Sequence, residues 1–539
     1  MGVADDFNPH DGNWEPDYEP TSNVVPFGAA GTPRARSNLP QIRLEAGELH
    51  NIATEAEAAL LASNCDFYVR GQRLMRPVVD ELPAANGRTA KVARLTDVTE
   101  PHMIDRLSRS ATWLKWDGRA KKHIPADPST KVAATVLARD GEWTFPRLSG
   151  VITTPTLRPD GTILSDVGYD PSTQLLLIDP PAMPKLPSRP SKALATKALA
   201  RLNGLLDEFP FTDPASRSVA LSALITPVVR GAMPVAPMHV TKAPVAGSGK
   251  SYIIDIASAM NSGERAPVLS AGKTEEELEK RLIGALLSGQ TFISLDNVNG
   301  ELGGDFLCQL VERPVVSARP LGQSAMIKIE SRATCFGTGN NIRLVGDMTR
   351  RVLLCSLDPD MERPETREFK HNPFEAVLAD RGLYVAAALT VVRAYVVAGF
   401  PGQLPPLASF EDWSRLVRSA LVWLGQPDPV ETMVAAREDD PITTSLRQLY
   451  HAWSRLFGTD SRTSAEIINS ASARGTSGEL LDPSFYEILG DIAGDRSGVP
   501  LARSLSKFLS KYKNRVVEGL KLIEAGTDRD GKILWKVVK

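Results

Sequence analysis

Apolar residues in the middle of the chain alternate between short unbroken runs and stripes at helical spacing. Met238-His239-Val240 reads as a buried strand, and 252–257 as the start of a helix. Residues 274–282 open with three glutamates and read as a helix whose acidic start suits its dipole. Further strand-like runs cover 291–297, 333–338 and 352–354. Strands alternating with helices predict an α/β core. Upstream, Ser191 is placed to cap a helix striped by Leu194, Leu199, Leu202 and Leu206, and a second helix covers 216–230. Downstream, 383–397 and 413–424 read as helices. Leu446, Leu449, Trp453 and Phe457 then form a stripe, and Thr463 opens a capped helix. Leu501, Leu505, Phe508 and Tyr512 give the last helix an apolar face. Runs at 519–523 and 533–538 flank Asp530-Gly531 as a hairpin.

The first third is mixed. Helices are expected at 55–61 and 101–114 and a strand at 67–70. A hairpin is expected around Asp160-Gly161. This predicts a small α+β domain over 41–178. Pro180, Pro181, Pro184, Pro187 and Pro190 exclude a helix and make 179–190 a semi-rigid linker. Residues 1–40, rich in Asp, Pro, Gly, Asn and Ser, read as a disordered tail. The expected division continues as a core over 191–375, a lid over 376–440 and a C-terminal domain over 441–539.

Composition narrows the class. The 539 residues are 42% hydrophobic and 23% charged, enough for several soluble domains. Net charge is −2, so any nucleic-acid surface must be local. Four scattered cysteines without a C-x-x-C pair argue against a zinc ribbon or a disulfide framework and suit a reducing cytoplasm. No apolar run reaches the ~18 residues of a membrane span, and no signal segment opens the chain.

The chemistry centres on Ala246-Gly247-Ser248-Gly249-Lys250-Ser251, with Tyr252 beginning the helix beyond. Two glycines let the backbone curl so that N–H groups point at phosphate oxygens, and the helix adds its positive end. Lys250 is positioned for the β- and γ-phosphates of ATP, and the Ser251 hydroxyl for Mg²⁺. Pro244 stands where the full pattern has its first glycine. Asp296 ends a strand where a second Mg²⁺-organising acid belongs, followed by Asn297. Asn340 ends the next strand, a place from which an amide can hold the attacking water; taken alone it is an ordinary turn residue. Arg350 and Arg351 head a third apolar strand, either as a salt-bridged pair or with a guanidinium reaching a neighbouring subunit's γ-phosphate. A hairpin over 315–329 carries Arg319 and Lys328.

This order of parts resembles superfamily 3 helicases, a branch of the AAA+ ATPases, and among them the helicase halves of phage and poxvirus primase–helicases. The resemblance covers roughly 191–358. It implies an AAA+ P-loop core in which Lys250 and Ser251 match the Walker A pair and Asp296 the Walker B acid. Asn340 matches the sensor asparagine. Arg351 matches the arginine finger first and Arg350 second. It also implies that the 315–329 hairpin carries Arg319 or Lys328 into a central pore, and that the protein forms a ring, a hexamer. The stretch from Pro146-Arg147-Leu148-Ser149-Gly150-Val151 to Gly168-Tyr169-Asp170 resembles the segment upstream of such motors. Two departures are Pro244 and Asn297, the latter standing where many AAA+ proteins have a glutamate base. No primase domain is visible, so a primase, if one acts here, is expected as a separate chain.

Residues 441–539 resemble a winged-helix domain. Arg503, Lys507 and Lys511 recur every four residues, with Lys513 just beyond, a row suited to duplex phosphates or the major groove. The expectation is an ATP-driven DNA helicase that moves single-stranded DNA through its pore, serving replication of a phage, plasmid or integrated element. One rival is a replication initiator or loader that uses ATP only to assemble on DNA. A small-molecule kinase is the other.

Overall fold

The computed structural model describes residues 39–83, 89–272, 274–320, 326–340, 342–361, 363–367, 370–438, 441–476 and 478–539. All but the last two residues of the predicted tail lie outside them. The chain divides into two compact units, one of Met1–Ile342 with Arg351–Thr432, the other of Arg343–Arg350 with Met433–Lys539. No helix among the described residues is long and apolar enough to cross a membrane.

The first unit is built on a parallel sheet of β1 (Met238–Lys242), β2 (Val268–Ser270), β3 (Phe292–Asp296), β6 (Thr334–Gly339) and β7 (Val352–Ser356), in the order β2-β3-β6-β1-β7. Its central strands β1 and β6 are buried nearly throughout, although they carry His239, Thr241, Thr334 and Thr338, because helices cover both faces. Helix α1 (Lys192–Gly204) starts at the predicted cap, Ser191, whose Oγ accepts from the Leu194 N–H. Helices α2 (Pro214–Val228), α3 (Lys250–Ser262) and α4 (Glu275–Leu287) follow, and α5 (Arg381–Val397) packs along α1. Between β3 and β6, strands β4 (Val315–Ala318) and β5 (Ile327–Glu330) pair antiparallel, the expected hairpin; its turn, 321–325, lies outside the described residues.

The N-terminal segment holds helices Leu49–Ala62 and Thr130–Leu137 around the buried Phe67, Trp113 and Phe145. The second expected helix, 101–114, is corrected: it covers Glu100–Ser110, and Thr112–Asp117 is a strand parallel to Gln41–Leu44. Ala111 is already extended, and burying Trp113, whose indole N–H donates to Leu107 O at 2.9 Å, turns the chain there. The Asp160-Gly161 hairpin forms, with Thr156–Leu157 against Ile163–Leu164. This segment is tied to the core by Arg381, which donates to Thr153 O at 3.0 Å and to Asn261 O, in the last turn of α3, at 2.7 Å.

In the second unit, α6 (Pro441–Phe457), α7 (Ser464–Ala471), α8 (Pro483–Ala493) and α9 (Ala502–Tyr512) pack with the hairpin β8 (Leu520–Thr527) and β9 (Ile533–Val538). Thr463 and Glu466 form the capping box the sequence marks. Leu501 is corrected from core to surface at 44% exposure. It precedes α9 in extended backbone, and Leu509 takes the inner face with Leu505.

Candidate functional site

The phosphate loop leaves the end of β1 and re-enters structure at α3. Gly247 (φ +75°) and Gly249 (φ +90°) are both left-handed, where a side chain would be strained. A Cβ on Gly249 would also sit 3.1 Å from the Phe209 ring. Lys250 Nζ folds back onto the loop, donating to Val245 O at 2.7 Å and Ser248 Oγ at 3.1 Å. Ser248 Oγ in turn donates to Val245 O at 2.9 Å. Burial lowers the Lys250 pKa, against the pull of Asp296. Tyr252 points elsewhere, its hydroxyl donating to Asn372 Oδ1 and its ring tilted against Phe209.

Ser251 Oγ donates to Asp296 Oδ1 at 3.0 Å, so the two residues predicted to share Mg²⁺ meet. The same oxygen accepts from the hydroxyl of Thr338, on the neighbouring strand β6. Thr338 Oγ1 also accepts from the Asn297 N–H at 3.1 Å, in a left-handed turn (φ +52°) that asparagine tolerates. The sequence reading missed Thr338. Its signal was a hydroxyl two residues before Asn340 on a strand tip. The β3–β6 register, Leu295 opposite Gly337, brings it beside Asp296. Asn340 follows β6, half-buried. No group of three or more His, Cys, Asp or Glu among the described residues could hold a metal. Ser251 and Asp296 fit Mg²⁺, which takes few protein ligands and is completed by phosphate oxygens and water.

Arg351 is corrected as the projecting arginine. Only 4% exposed, it is ion-paired to Glu312, with Nε 2.8 Å from Oε2. Glu312 also accepts from Ser409 Oγ at 2.6 Å. Arg350 ends the turn Gly346–Arg350 with a side chain 39% exposed, 3.1 Å from Asp347. Arg319 and Lys328 are exposed on the hairpin. Arg503, Lys507 and Lys511 are exposed along α9, while Lys513 lies 3.4 Å from Glu524 on β8.

No protein-family model and no curated protein matches the chain. Among solved structures it is similar to the NrS-1 C-terminal region in an apo form. Identity is 11% and the TM-score 0.31, over 86% of this chain and 97% of that one. A second structure of that region matches at 10% identity and a TM-score of 0.36, covering 90% and 100%. The JCV helicase matches at 14% identity and a TM-score of 0.21, covering 46% and 74%.

Proposed function

We propose that this protein is an ATP- and Mg²⁺-dependent DNA helicase of the superfamily 3, AAA+ type, acting as a ring. The observation that carries the reading is the meeting of Ser251, Asp296 and Thr338 beside a glycine loop with two left-handed glycines. The acid strand β3 is separated from the loop strand β1 by β6, whose tip carries Asn340. One end of the sheet therefore presents phosphate-binding N–H groups, a cation, a metal-organising carboxylate and an amide.

In this reading Lys250 exchanges Val245 O and Ser248 for the β- and γ-phosphates. Ser251 and Asp296 hold Mg²⁺, with Thr338 fixing the carboxylate. Asn340 orients water. Arg350, rather than Arg351, reaches the γ-phosphate of the adjacent subunit after leaving Asp347. The hairpin residues Arg319 and Lys328 track single-stranded DNA, and Arg503, Lys507, Lys511 and Lys513 hold duplex. A hexamer and a separate primase complete the assembly. The exposed Asn297, an amide where a base is common, favours the second reading, an initiator that binds ATP and turns it over slowly.

The test is ATP hydrolysis with and without single-stranded DNA. DNA-stimulated turnover is expected, lost in Lys250→Ala and in Arg350→Ala and partly regained when the two are mixed. Arg351→Ala is expected to lower the unfolding temperature instead, because it strands Glu312, a loss of about 3–5 kcal/mol. Mixing would not rescue it. Turnover indifferent to DNA, or intact in Arg350→Ala, would remove the ring-helicase reading.

A further inference from the structure

A cleft of about 580 Å³ lies between the N-terminal segment and the β4–β5 hairpin, away from the phosphate loop. Gln72, Asp140 and Arg147 line it from the N-terminal side, and Lys328 and Glu330 from β5. The hairpin register explains which side chains face it. Ser317 opposes Lys328 and Val315 opposes Glu330, while Val316, Ile327 and Ile329 are buried on the other face.

Its charge is not balanced. Glu330 is already engaged, accepting from Ser149 Oγ at 2.7 Å and lying 3.9 Å from the Arg147 guanidinium. Arg70, 4% exposed, is one of the lining residues, and its guanidinium is held behind the wall by carbonyls, at 3.1 Å from Leu148 O, 2.6 Å from Ser149 O and 2.8 Å from Leu286 O. Its Nε has no hydrogen-bond partner among the described residues. Three cations, Arg70, Arg147 and Lys328, thus face two carboxylates, Asp140 and Glu330. The Arg147 side chain is 72% exposed and can swing away from Glu330. Buried cationic charge that no carboxylate bonds directly attracts an anion, and a fork-shaped guanidinium at the rim matches a phosphodiester.

We infer that this cleft holds the backbone of single-stranded nucleic acid, with Gln72 and Arg147 of the N-terminal segment binding phosphates beside Lys328 of the hairpin. The inference rests on the helicase reading and gives residues 41–178 a direct part in the strand path.

The test is binding of a fluorescent oligothymidylate to the full-length protein across a salt series. Arg147→Ala and Gln72→Ala are expected to weaken binding several-fold. Arg147→Ala should also reduce the slope of log K against log salt by about 0.7, one single-strand phosphate contact. Arg147→Lys should keep the slope, and Lys131→Ala, an exposed lysine elsewhere in the segment, should change neither. Wild-type affinity and slope in Arg147→Ala, with binding weakened only by Lys328→Ala, would overturn the cleft and leave the helicase reading standing. The cleft would fall in the same way if an acidic peptide, but not the oligonucleotide, competes for the Arg147-dependent site. A wild-type protein that binds no oligonucleotide would overturn both.

Discussion

Asp296 Oδ1 is the acceptor on which the proposed nucleotide site converges, taking one hydroxyl from the helix after the glycine loop and one from the next strand. That Ser251 and Asp296 would meet beside a glycine loop was legible because the residue types proposed to bind phosphate stand at close spacing. Thr338 and the fate of Arg351 were not, because each depends on a partner set by the packing of distant segments. Arg351 pairs with a glutamate 39 positions earlier, and its neighbour Arg350 pairs within its own turn. Another buried group makes a pH prediction. His239 on β1 stacks on Phe336 and bonds Ser222 Oγ at 2.9 Å, and burial pushes its pKa down to about 3. In the unfolded chain a histidine titrates near 6.5. Below that pH the unfolded state takes a proton that the folded state refuses, so this contribution to stability is complete above 6.5 and lost toward 3. The loss amounts to about 2 kcal/mol by pH 5. Urea unfolding at pH 7 and pH 5 should show it in the wild type. His239→Gln, which keeps a partner for Ser222, should lose less; equal losses would refute the assignment.

At the scale of elements, the strands and helices of the core follow their apolar runs closely. Short parallel strands buried on both faces are continuous in sequence and need no partner to be recognised. Sheet order is another matter, since nothing in 333–338 says that this strand lies between the loop strand and the acid strand. The Pro-rich stretch was legible as extended but not as fixed. In the structure Gly382, in the first turn of α5, lies so close to Ala182 O that a Cβ there would overlap the backbone. The stretch is thus a strap laid across the start of α5, with proline holding it extended and glycine admitting it. Gly382→Ala should lift the strap, because a backbone carbonyl cannot rotate aside as a long side chain can. Trypsin should then cut after the exposed Lys185 faster than in the wild type, together with a lower unfolding temperature. Unchanged cleavage would mean that the strap is held from elsewhere.

For the whole molecule, a net charge of −2 leaves no general attraction to nucleic acid, so the proposed affinity would have to come from rows of cations that the fold aligns. The second unit has such a row. Leu505 and Leu509 fix one face of α9 inward, and a spacing of four then carries Arg503, Lys507 and Lys511 together to the opposite, exposed face. Among the described residues none of the three is paired with an acid in the way that Lys513 is with Glu524, so they are the stronger candidates for phosphates. Replacing all three by alanine in the full chain should leave the unit folded, since all three side chains are exposed and, among the described residues, only Lys511 meets a ring, lying 5.3 Å over Tyr512. Duplex affinity should fall, and the salt slope should drop by about 0.9 for each phosphate no longer neutralised. Hydrolysis stimulated by single-stranded DNA should persist, because the hairpin and its cleft belong to the other unit. If stimulation vanished along with duplex binding, one surface would be serving both strands. The basic row would then have to be read as an entry to the motor rather than a separate hold on duplex DNA.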